Sequence, residues 1–355
     1  MTPDKLTRAD LDDVALGARL LGSGGGGRVE LVTSLLRDRL MSHSLPVRRP
    51  HELPAETLCL PVATVGSSTI GSERMLSSLQ FLRLAAAVEQ RLGNTVGAIA
   101  ALEGAGINAL IPALAASTLD LELVDADGMG RAFSRIDHTT FALGGVPLTP
   151  CFLVGRAGEV VCLDVPHSAN VESLLRPVVA ALGGWAVLGC YAQTAVDLSR
   201  HGIGGYLQHT GRLGSRLRRA RTDGLTRDAL AHAIGAHRVM SGRVAEVRPD
   251  PGHPQSRSIT VVTVPPEREQ VLRLDAHNEF QLAVLDGRPV AAVPSIICPL
   301  HRGSAEPVNV EDVHLDQPLD VLVLPPAAPW LTSAGLSLAG PRAHGIDMEL
   351  PATIS

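Results

Sequence analysis

The chain has 355 residues, more than one hydrophobic core usually supports, so two domains are expected. Its composition, 45% hydrophobic and 19% charged, is typical of a globular protein and excludes a disordered one. The net charge of −5 offers no basic surface for nucleic acid or an anionic membrane.

No apolar run reaches the roughly 18 residues of a membrane-spanning helix, and the first residues do not form a basic and apolar leader. We therefore expect a cytoplasmic protein whose partner is a small molecule. Its five cysteines are scattered and include no CxxC pair, which argues against a disulfide framework or a structural zinc site.

The first predicted elements are two helices joined by a glycine loop. Thr7 and Asp10 form a capping pattern for a helix that extends through Leu21, and a second amphipathic run covers residues 29–41. Backbone N–H groups of the loop, near a helix N-terminus, would stabilise an anion or a developing oxyanion. A flexible helix–helix turn is the alternative interpretation. The predicted substrate-binding residues of this loop are Ser23, Gly24, Gly25, Gly26 and Gly27.

The loop does not resemble a nucleotide-binding motif. It lacks the Gly-Lys-Ser/Thr of a P-loop, and the element before it reads as a helix rather than the strand of a dinucleotide-binding fold. Nucleotide binding is therefore disfavoured.

Strands and helices then alternate as far as Asp164. This alternation predicts an α/β domain with a largely parallel sheet, whose ligands bind beyond the carboxyl ends of the strands. We place the domain boundary after Asp164, giving domains of residues 1–164 and 165–355. The predicted segments are strands at 58–65, 95–102 and 121–124, helices at 76–92, 106–117 and 171–182, and a hairpin at 151–164.

The second domain is predicted to be β-rich, with α+β character, because strand patterns dominate from residue 240 onward. It is preceded by a basic helix without acidic residues, interpreted as a solvated face or a contact in a homo-oligomer. The predicted strands are 243–247, 259–264, 271–274, 280–285, 289–293 and 319–324, and the basic residues are Arg212, Arg216, Arg218, Arg219 and Arg221.

Acidic residues at strand ends are the predicted catalytic groups. Glu103 follows one predicted strand, and Asp125 and Asp127 follow the next. A carboxyl group buried there acquires a raised pKa and can act as a general acid or base, while Arg131 would orient an anionic group. The alternative interpretation is structural: Asp127 caps the next turn, Asp125 pairs with Arg131, and Glu103 caps the following helix.

Further residues extend this candidate site. Asn108 and Glu73 are predicted to bind substrate, although an exposed ion pair between Glu73 and Arg74 is the alternative. Asn278 and Glu279 are the predicted contribution of the second domain to a site between the domains, with a turn between two strands as the alternative.

Metal chemistry is left open by the sequence. The chain has no HExxH or HxxxH pattern, so no helix presents two imidazoles at metal spacing. A divalent metal, zinc or another, held by Glu103, Asp125, Asp127 and His138 is an alternative to acid/base chemistry, since oxygen-rich sites have no compact signature. An ordinary, partly buried histidine is the other interpretation of His138.

Several of these segments resemble one family. The block Val124-Asp-Ala-Asp-Gly-Met-Gly-Arg-Ala-Phe133 and the opening residues 12–27 are similar to segments of the S-methyl thiohydantoin desulfurase family. Segments 73–74, 103–108, 278–279 and 340–345 follow in the family's order. The resemblance implies an N-terminal α/β domain, a C-terminal domain rich in strands, and bacterial genes that accompany hydantoinase or oxoprolinase-type enzymes.

The family's named activity replaces a methylthio group on a hydantoin-like ring with water. This sequence departs from the family's pattern at Ala105, at Ser295 and at residues 205–208. We predict a hydrolase of a small cyclic amide or thioether-imidate. A non-catalytic ligand-binding or regulatory protein on the same fold is the alternative.

Overall fold

The computed structural model describes residues 4–67, 76–166, 170–251, 253–263 and 269–351, with the side chains of 253–255 left out. The chain divides into two compact units. The first consists of Met1–Ala18 and Gly27–Arg212, and the second of Arg19–Gly26 and Leu213–Ser355. The first unit continues past Asp164 because a strand at Trp185–Gly189 pairs inside its sheet.

The described chain contains helices and strands in alternation in the first unit and mostly strands in the second. The α-helices are Leu11–Leu21, Glu30–Arg39, Ser78–Leu92, Ile111–Leu119, Thr140–Leu143, Val171–Ala181, Ala195–His201, Tyr206–Thr222, Arg227–Ala233 and Ser333–Ala339. The strands of the first unit are β1 (Lys5–Leu6), β2 (Leu45–Arg48), β3 (Leu58–Gly66), β4 (Val96–Ala101), β5 (Glu122–Val124), β6 (Ala126–Asp127), β7 (Cys151–Val154), β8 (Val160–Leu163), β9 (Trp185–Gly189), β10 (Gln193–Thr194) and β11 (Ile203–Gly204). The strands of the second unit are β12 (His237–Asp250), β13 (His253–Val262), β14 (Val271–His277), β15 (Glu279–Leu285), β16 (Arg288–Ala292), β17 (Ile296–His301) and β18 (Pro318–Leu324).

The main sheet of the first unit has a parallel centre. Strands β2, β5, β4 and β3 pair parallel in that order, and β1 joins the β2 edge antiparallel. Beyond β3, the strands β9, β7 and β8 extend the sheet in antiparallel pairing. Long apolar runs such as β3, buried along all but its last residue, are typical of strands covered on both faces. The predicted α/β class is confirmed.

The helices that cover this sheet follow the hydrophobic period expected from the sequence. In Ser78–Leu92, the residues Phe81, Leu84 and Val88 form one buried stripe, and the helix contacts β7 and β9. It ends at Gly93, whose φ of 68° is the left-handed conformation that glycine adopts without strain. The spacing of these apolar residues therefore determines both the helix and the face that packs against the sheet.

The predicted helix at 106–117 is divided in the structure. Residues Gly106–Ala109 form a 3-10 turn, and the α-helix begins at Ile111. The turn is held by the Asn108 side chain, which bonds to β3 instead of facing along a helix. Pro112 lies in the first turn of the α-helix, where its missing N–H removes no helical hydrogen bond.

The second unit contains a seven-stranded antiparallel sheet in the order β16-β15-β14-β13-β12-β18-β17. Burial alternates along β14, with Leu272 and Leu274 in the core, as expected for a sheet with one covered face. The predicted β-rich character is confirmed. Neither β17 nor the first unit's β9 was predicted.

Two absences hold for the part of the chain described here. None of its five cysteines forms a disulfide. No helix within the described ranges has the length and apolar character needed to cross a bilayer.

Candidate functional site

Asn108 connects the ends of β3 and β4. Its Oδ1 accepts hydrogen bonds from the backbone N–H of Thr64 (2.7 Å) and from the Thr64 hydroxyl (2.9 Å). Its Nδ2 donates to the Thr64 carbonyl (3.2 Å) and to Oε2 of Glu103 (2.5 Å). This network fixes the position of the Glu103 carboxylate relative to the central strands.

Glu103 lies two residues after β4 and is 6% exposed. The Asn108 amide donates to its Oε2, and the backbone N–H of Phe133 donates to its Oε1 at 3.3 Å. The carboxylate therefore joins the loop after β4 to the segment that follows Asp127.

Asp127 is completely buried beside the glycine that follows Glu103. Its Oδ1 accepts hydrogen bonds from the N–H groups of Met129 (2.8 Å) and Gly130 (2.7 Å), the turn cap that the structural alternative predicted. A Cβ atom on Gly104 would overlap Oδ2 of Asp127. Burial raises the pKa of Asp127 to about 7, the Met129 and Gly130 N–H groups oppose the shift, and the Asp125 charge adds to it.

Asp125 accepts a hydrogen bond from the backbone at the start of the long basic helix Tyr206–Thr222. Its Oδ1 lies 2.7 Å from the backbone nitrogen of Leu207, the second residue of Tyr206–Thr222, where the helix dipole favours a negative group. Burial raises the pKa of Asp125 to about 6, although the Leu207 and Gln208 N–H groups and Arg212 lower it. The described contacts thus join Asp125 to the helix rather than to Arg131.

Arg131 and His138 surround the ring of Phe133. The guanidinium carbon of Arg131 lies 5.0 Å from the ring centroid, a cation–π distance, and its Nε donates to the Ala132 carbonyl at 2.8 Å. The His138 ring meets the same phenyl ring edge-on at 5.8 Å. Burial lowers the pKa of His138 to about 4 against the opposing Asp137 charge, so the imidazole is neutral at pH 7.

The predicted oxygen-rich metal ligands do not fit a metal centre. Across the described ranges, no three His, Cys, Asp or Glu side chains converge in positions that could hold an ion. One oxygen of Asp125, one of Asp127 and both of Glu103 already accept protein N–H groups.

The glycine loop residues 23–26 lie in the second unit and are anchored to its strands. The Ser23 hydroxyl lies 3.1 Å from the Phe280 carbonyl and 3.0 Å from that of Ile297, and it accepts from the Ile297 N–H. The backbone N–H groups of Ser23 and Gly25 donate to the carbonyls of Leu20 and Gly22, which precede the loop. Hydrogen bonds to β15 and β17 thus give this loop a defined position.

Asn278 and Glu279 meet that loop inside the second unit. Asn278, with a φ of 64°, forms the turn between β14 and β15, as the alternative interpretation predicted. A Cβ atom on Gly25 would lie 3.0 Å from the Asn278 carbonyl oxygen and from the Glu279 Cβ. Glu279 is 2% exposed, and its Oε1 accepts from Nε2 of Gln281 at 3.1 Å.

Of the predicted site residues, the structure gathers two groups. Glu103, Asn108, Asp125, Asp127 and Arg131 belong to the first unit, and Ser23 to Gly26 with Asn278 and Glu279 belong to the second. Glu73 and Arg74 lie outside the described residues.

Sequence reasoning missed two neighbours of the buried carboxyl groups. Thr64 supplies both donors to Asn108, and Tyr206, 3% exposed, lies against the Asp127 pocket, with its Cδ2 2.9 Å from a Cβ placed on Gly104. Burial, and after it the Asp125 and Asp127 charges, raises the pKa of Tyr206. Only the position of Tyr206 at a departure from the family pattern could have directed attention to it.

Comparison with known proteins covers both units. The family profile described as "S-Me-THD-like, N-terminal domain" matches residues 9–165, and the one described as "S-Me-THD-like, C-terminal domain" matches residues 166–352. No curated protein matches the sequence significantly. A protein from Chromobacterium violaceum whose crystal structure is known is 24% identical in sequence. The two structures match with a TM-score of 0.80 over 98% of each chain, which shows a similar fold. Because the two profiles together span residues 9–352, the chain belongs to the S-Me-THD-like family, the S-methyl thiohydantoin desulfurase family that the sequence motifs indicated.

Proposed function

We propose that this protein is a hydrolase that removes a methylthio group from the ring of an S-methyl thiohydantoin or a similar cyclic substrate. Family membership supports the substrate class. The observation that carries the reaction type is a set of buried carboxyl groups. Glu103 is held by two N–H donors, Asp127 packs against Gly104, the next residue, and burial raises the pKa values of Asp125 and Asp127 to about 6 and about 7.

The reaction requires proton transfer in both directions. Water adds to the ring carbon that bears sulfur, and the tetrahedral adduct then breaks its carbon–sulfur bond. The ring keeps the oxygen as a carbonyl, methanethiol leaves with one proton of the water, and the other proton ends on the ring nitrogen that shared the C=N bond. A group that first accepts and then returns a proton, together with donors for the adduct, is therefore sufficient.

Glu103 is the proposed acid/base. Its carboxylate is fixed by Asn108 and by the Phe133 N–H, so it is oriented before substrate binds. It would accept the proton of the attacking water and deliver it to the departing sulfur. Arg131, held against Phe133, would orient an anionic group of the substrate or stabilise the adduct.

Asp125 and Asp127 are proposed to hold a proton near Glu103. Burial and the Asp125 charge raise the pKa of Asp127 to about 7, so its carboxyl group can hold a proton at neutral pH. Asp127 is packed against Gly104, the residue next to Glu103, so it also positions the catalytic loop.

The second-unit group is proposed to bind substrate. Gly25 packs closely against Asn278 and Glu279, since a Cβ atom there would lie 3.0 Å from the Asn278 carbonyl oxygen and from the Glu279 Cβ. The proposal extends to the rest of the loop, Ser23, Gly24 and Gly26, to Gly27 of the first unit, and to Glu73, which lies outside the described residues. A homo-oligomeric state is a separate hypothesis.

Incubation of the full chain with an S-methyl thiohydantoin tests the proposal. Methanethiol release, followed with a thiol reagent, and appearance of the hydantoin by chromatography should match one to one. Glu103→Gln should lower kcat about 10²-fold to 10⁴-fold, the range of general acid/base catalysis. Glu56→Gln, an exposed carboxylate in the same unit, is the matched control and should leave kcat unchanged.

Two results would redirect the proposal. Full activity of a folded Glu103→Gln variant would remove Glu103 from the chemistry. If no substrate is turned over but ligands raise the melting temperature, the non-catalytic binding protein is the better description. Elemental analysis of the purified chain tests the separate metal hypothesis, which requires a stoichiometric divalent ion that is lost in Asp125→Ala.

A further inference from the structure

A cleft of about 570 Å³ lies entirely within the second unit, formed by the end of the basic helix Tyr206–Thr222 and by strands β17 and β18. Its volume falls in the range of small-molecule sites. None of its lining residues takes part in the proposed hydrolysis. The charged residues of its wall are Arg218, Arg221, Arg227, Arg302 and Asp320.

Guanidinium groups dominate the charge of this cleft. Of its lining residues, four are arginines, and Asp320 is the one acid among them. Outside the lining set, Glu306 pairs with Arg221 at 2.5 Å and also with Arg19 at 2.5 Å, so it neutralises neither fully. Among the charged residues that line the cleft, arginines outnumber acids by four to one, in a protein whose net charge is −5.

Asp320 serves as a support for two of the arginines. It is 8% exposed, and its Oδ1 accepts from the Ser241 hydroxyl at 2.5 Å. The same oxygen lies 3.6 Å from Nε of Arg227 and 3.6 Å from Nε of Arg302. This one carboxylate holds both guanidinium groups at the wall of the cleft. Two positive charges face one negative charge, so the three side chains together remain positive.

We propose that this cleft binds a small polyanion bearing at least two phosphate or carboxylate groups. Arginine recognises both groups through paired N–H donors in a planar fork, and several arginines in one concavity reinforce each other because field lines concentrate in a cleft. Leucine side chains, among them Leu225, Leu300 and Leu322, also line the wall and would contact an organic part of the ligand.

The basic helix thus has a second explanation. Its sequence indicated a solvated face or a subunit contact, but Arg218 and Arg221 line a cleft in which they are joined by arginines from two other elements. Convergence of charge from separate parts of the chain distinguishes a binding site from a solvated face of one helix.

Calorimetric titration of the full chain with inorganic pyrophosphate and with citrate, at low ionic strength, tests the inference. We expect saturable binding of one anion per chain that weakens as sodium chloride screens the charges. Tighter binding of pyrophosphate would identify phosphate as the preferred group, and tighter binding of citrate would identify carboxylate. The absence of saturable binding of either at millimolar concentrations would overturn the inference.

Variants locate the binding. The double variant Arg221→Gln and Arg302→Gln should weaken binding by about tenfold or more. Arg248→Gln, which removes the same charge from an exposed site beside Glu246, is the matched control and should bind normally. Ser304→Asp keeps every arginine and adds a negative charge to the wall, so it gives the same test if the double variant fails to fold. Equal weakening in Arg248→Gln, or normal binding by Ser304→Asp, would contradict the assignment.

Discussion

Gly104 is the position at which a single methyl group should disturb the candidate site most directly. A Cβ atom there would overlap Oδ2 of Asp127 and would lie 2.9 Å from Cδ2 of Tyr206. Neither neighbour can move easily. Asp127 is held by the Met129 and Gly130 N–H groups, and both Asp127 and Tyr206 are buried.

The cost of Gly104→Ala follows from these contacts. Forcing a methyl group into a packed interior costs about 1–3 kcal/mol. If Asp127 turns away to make room, the loss of its backbone hydrogen bonds adds about 1 kcal/mol for each. We therefore expect the free energy of unfolding to fall by about 2–4 kcal/mol.

Urea unfolding followed by circular dichroism measures this change. Gly204→Ala is the matched control, because a Cβ at that exposed position of the same unit has no neighbour within 4 Å, and its cost should be small. The sharper test combines Gly104→Ala with Asp127→Ala, which removes the overlapping carboxylate. The methyl group should then cost at least about 1 kcal/mol less than in the wild-type background. An equal cost in both backgrounds would refute the steric reasoning.

Three further predictions concern buried polar groups. Because the pKa of Asp127 is raised from 3.8 to about 7, the protonated side chain stabilises the fold at low pH, and this contribution is lost as pH rises through 7. Asp127→Asn should therefore flatten the decline in unfolding free energy between pH 4 and 8 by up to about 1.4 kcal/mol per pH unit. An unchanged pH profile would contradict this. Asn108→Ala should cost about 2–4 kcal/mol in urea unfolding, because Thr64 and Glu103 lose buried partners, and a loss below about 0.5 kcal/mol would show that water replaces the side chain. Ser23→Ala and Ser23→Gly both remove the buried hydroxyl, but glycine should be less destabilising by about 1 kcal/mol in thermal or urea unfolding, since the φ of 50° strains a residue with a Cβ; the reverse order would refute the strain argument.

Elements with a strong local pattern could be predicted from the sequence. The helix Ser78–Leu92 differs from its predicted range by two residues, because the spacing of its apolar residues and Gly93 at its end are both local properties. The hairpin of β7 and β8 was also predicted correctly, because its turn lies between two short apolar runs and is likewise a local pattern.

Strands that depend on distant partners were missed. The run Trp185–Gly189 is five residues long, buried throughout and lacks alternation, so nothing local distinguishes it from a short loop. It is a strand because β3 and β7 are available on its two sides, at Val62–Gly66 and Phe152–Val154.

The sequence by itself determined which chemical groups follow β4 and β5. Glu103 follows β4, and Asp125, Asp127 and Arg131 stand in the family-specific block at residues 124–133. Only the tertiary structure decided what each group contacts. Asp125 accepts from Leu207, 82 residues away, and Ser23 from Ile297, 274 residues away. Burial and hydrogen bonding set the pKa and the orientation of a carboxyl group, and both come from partners that are remote in the chain, so local patterns identify the candidates but not their protonation or their role.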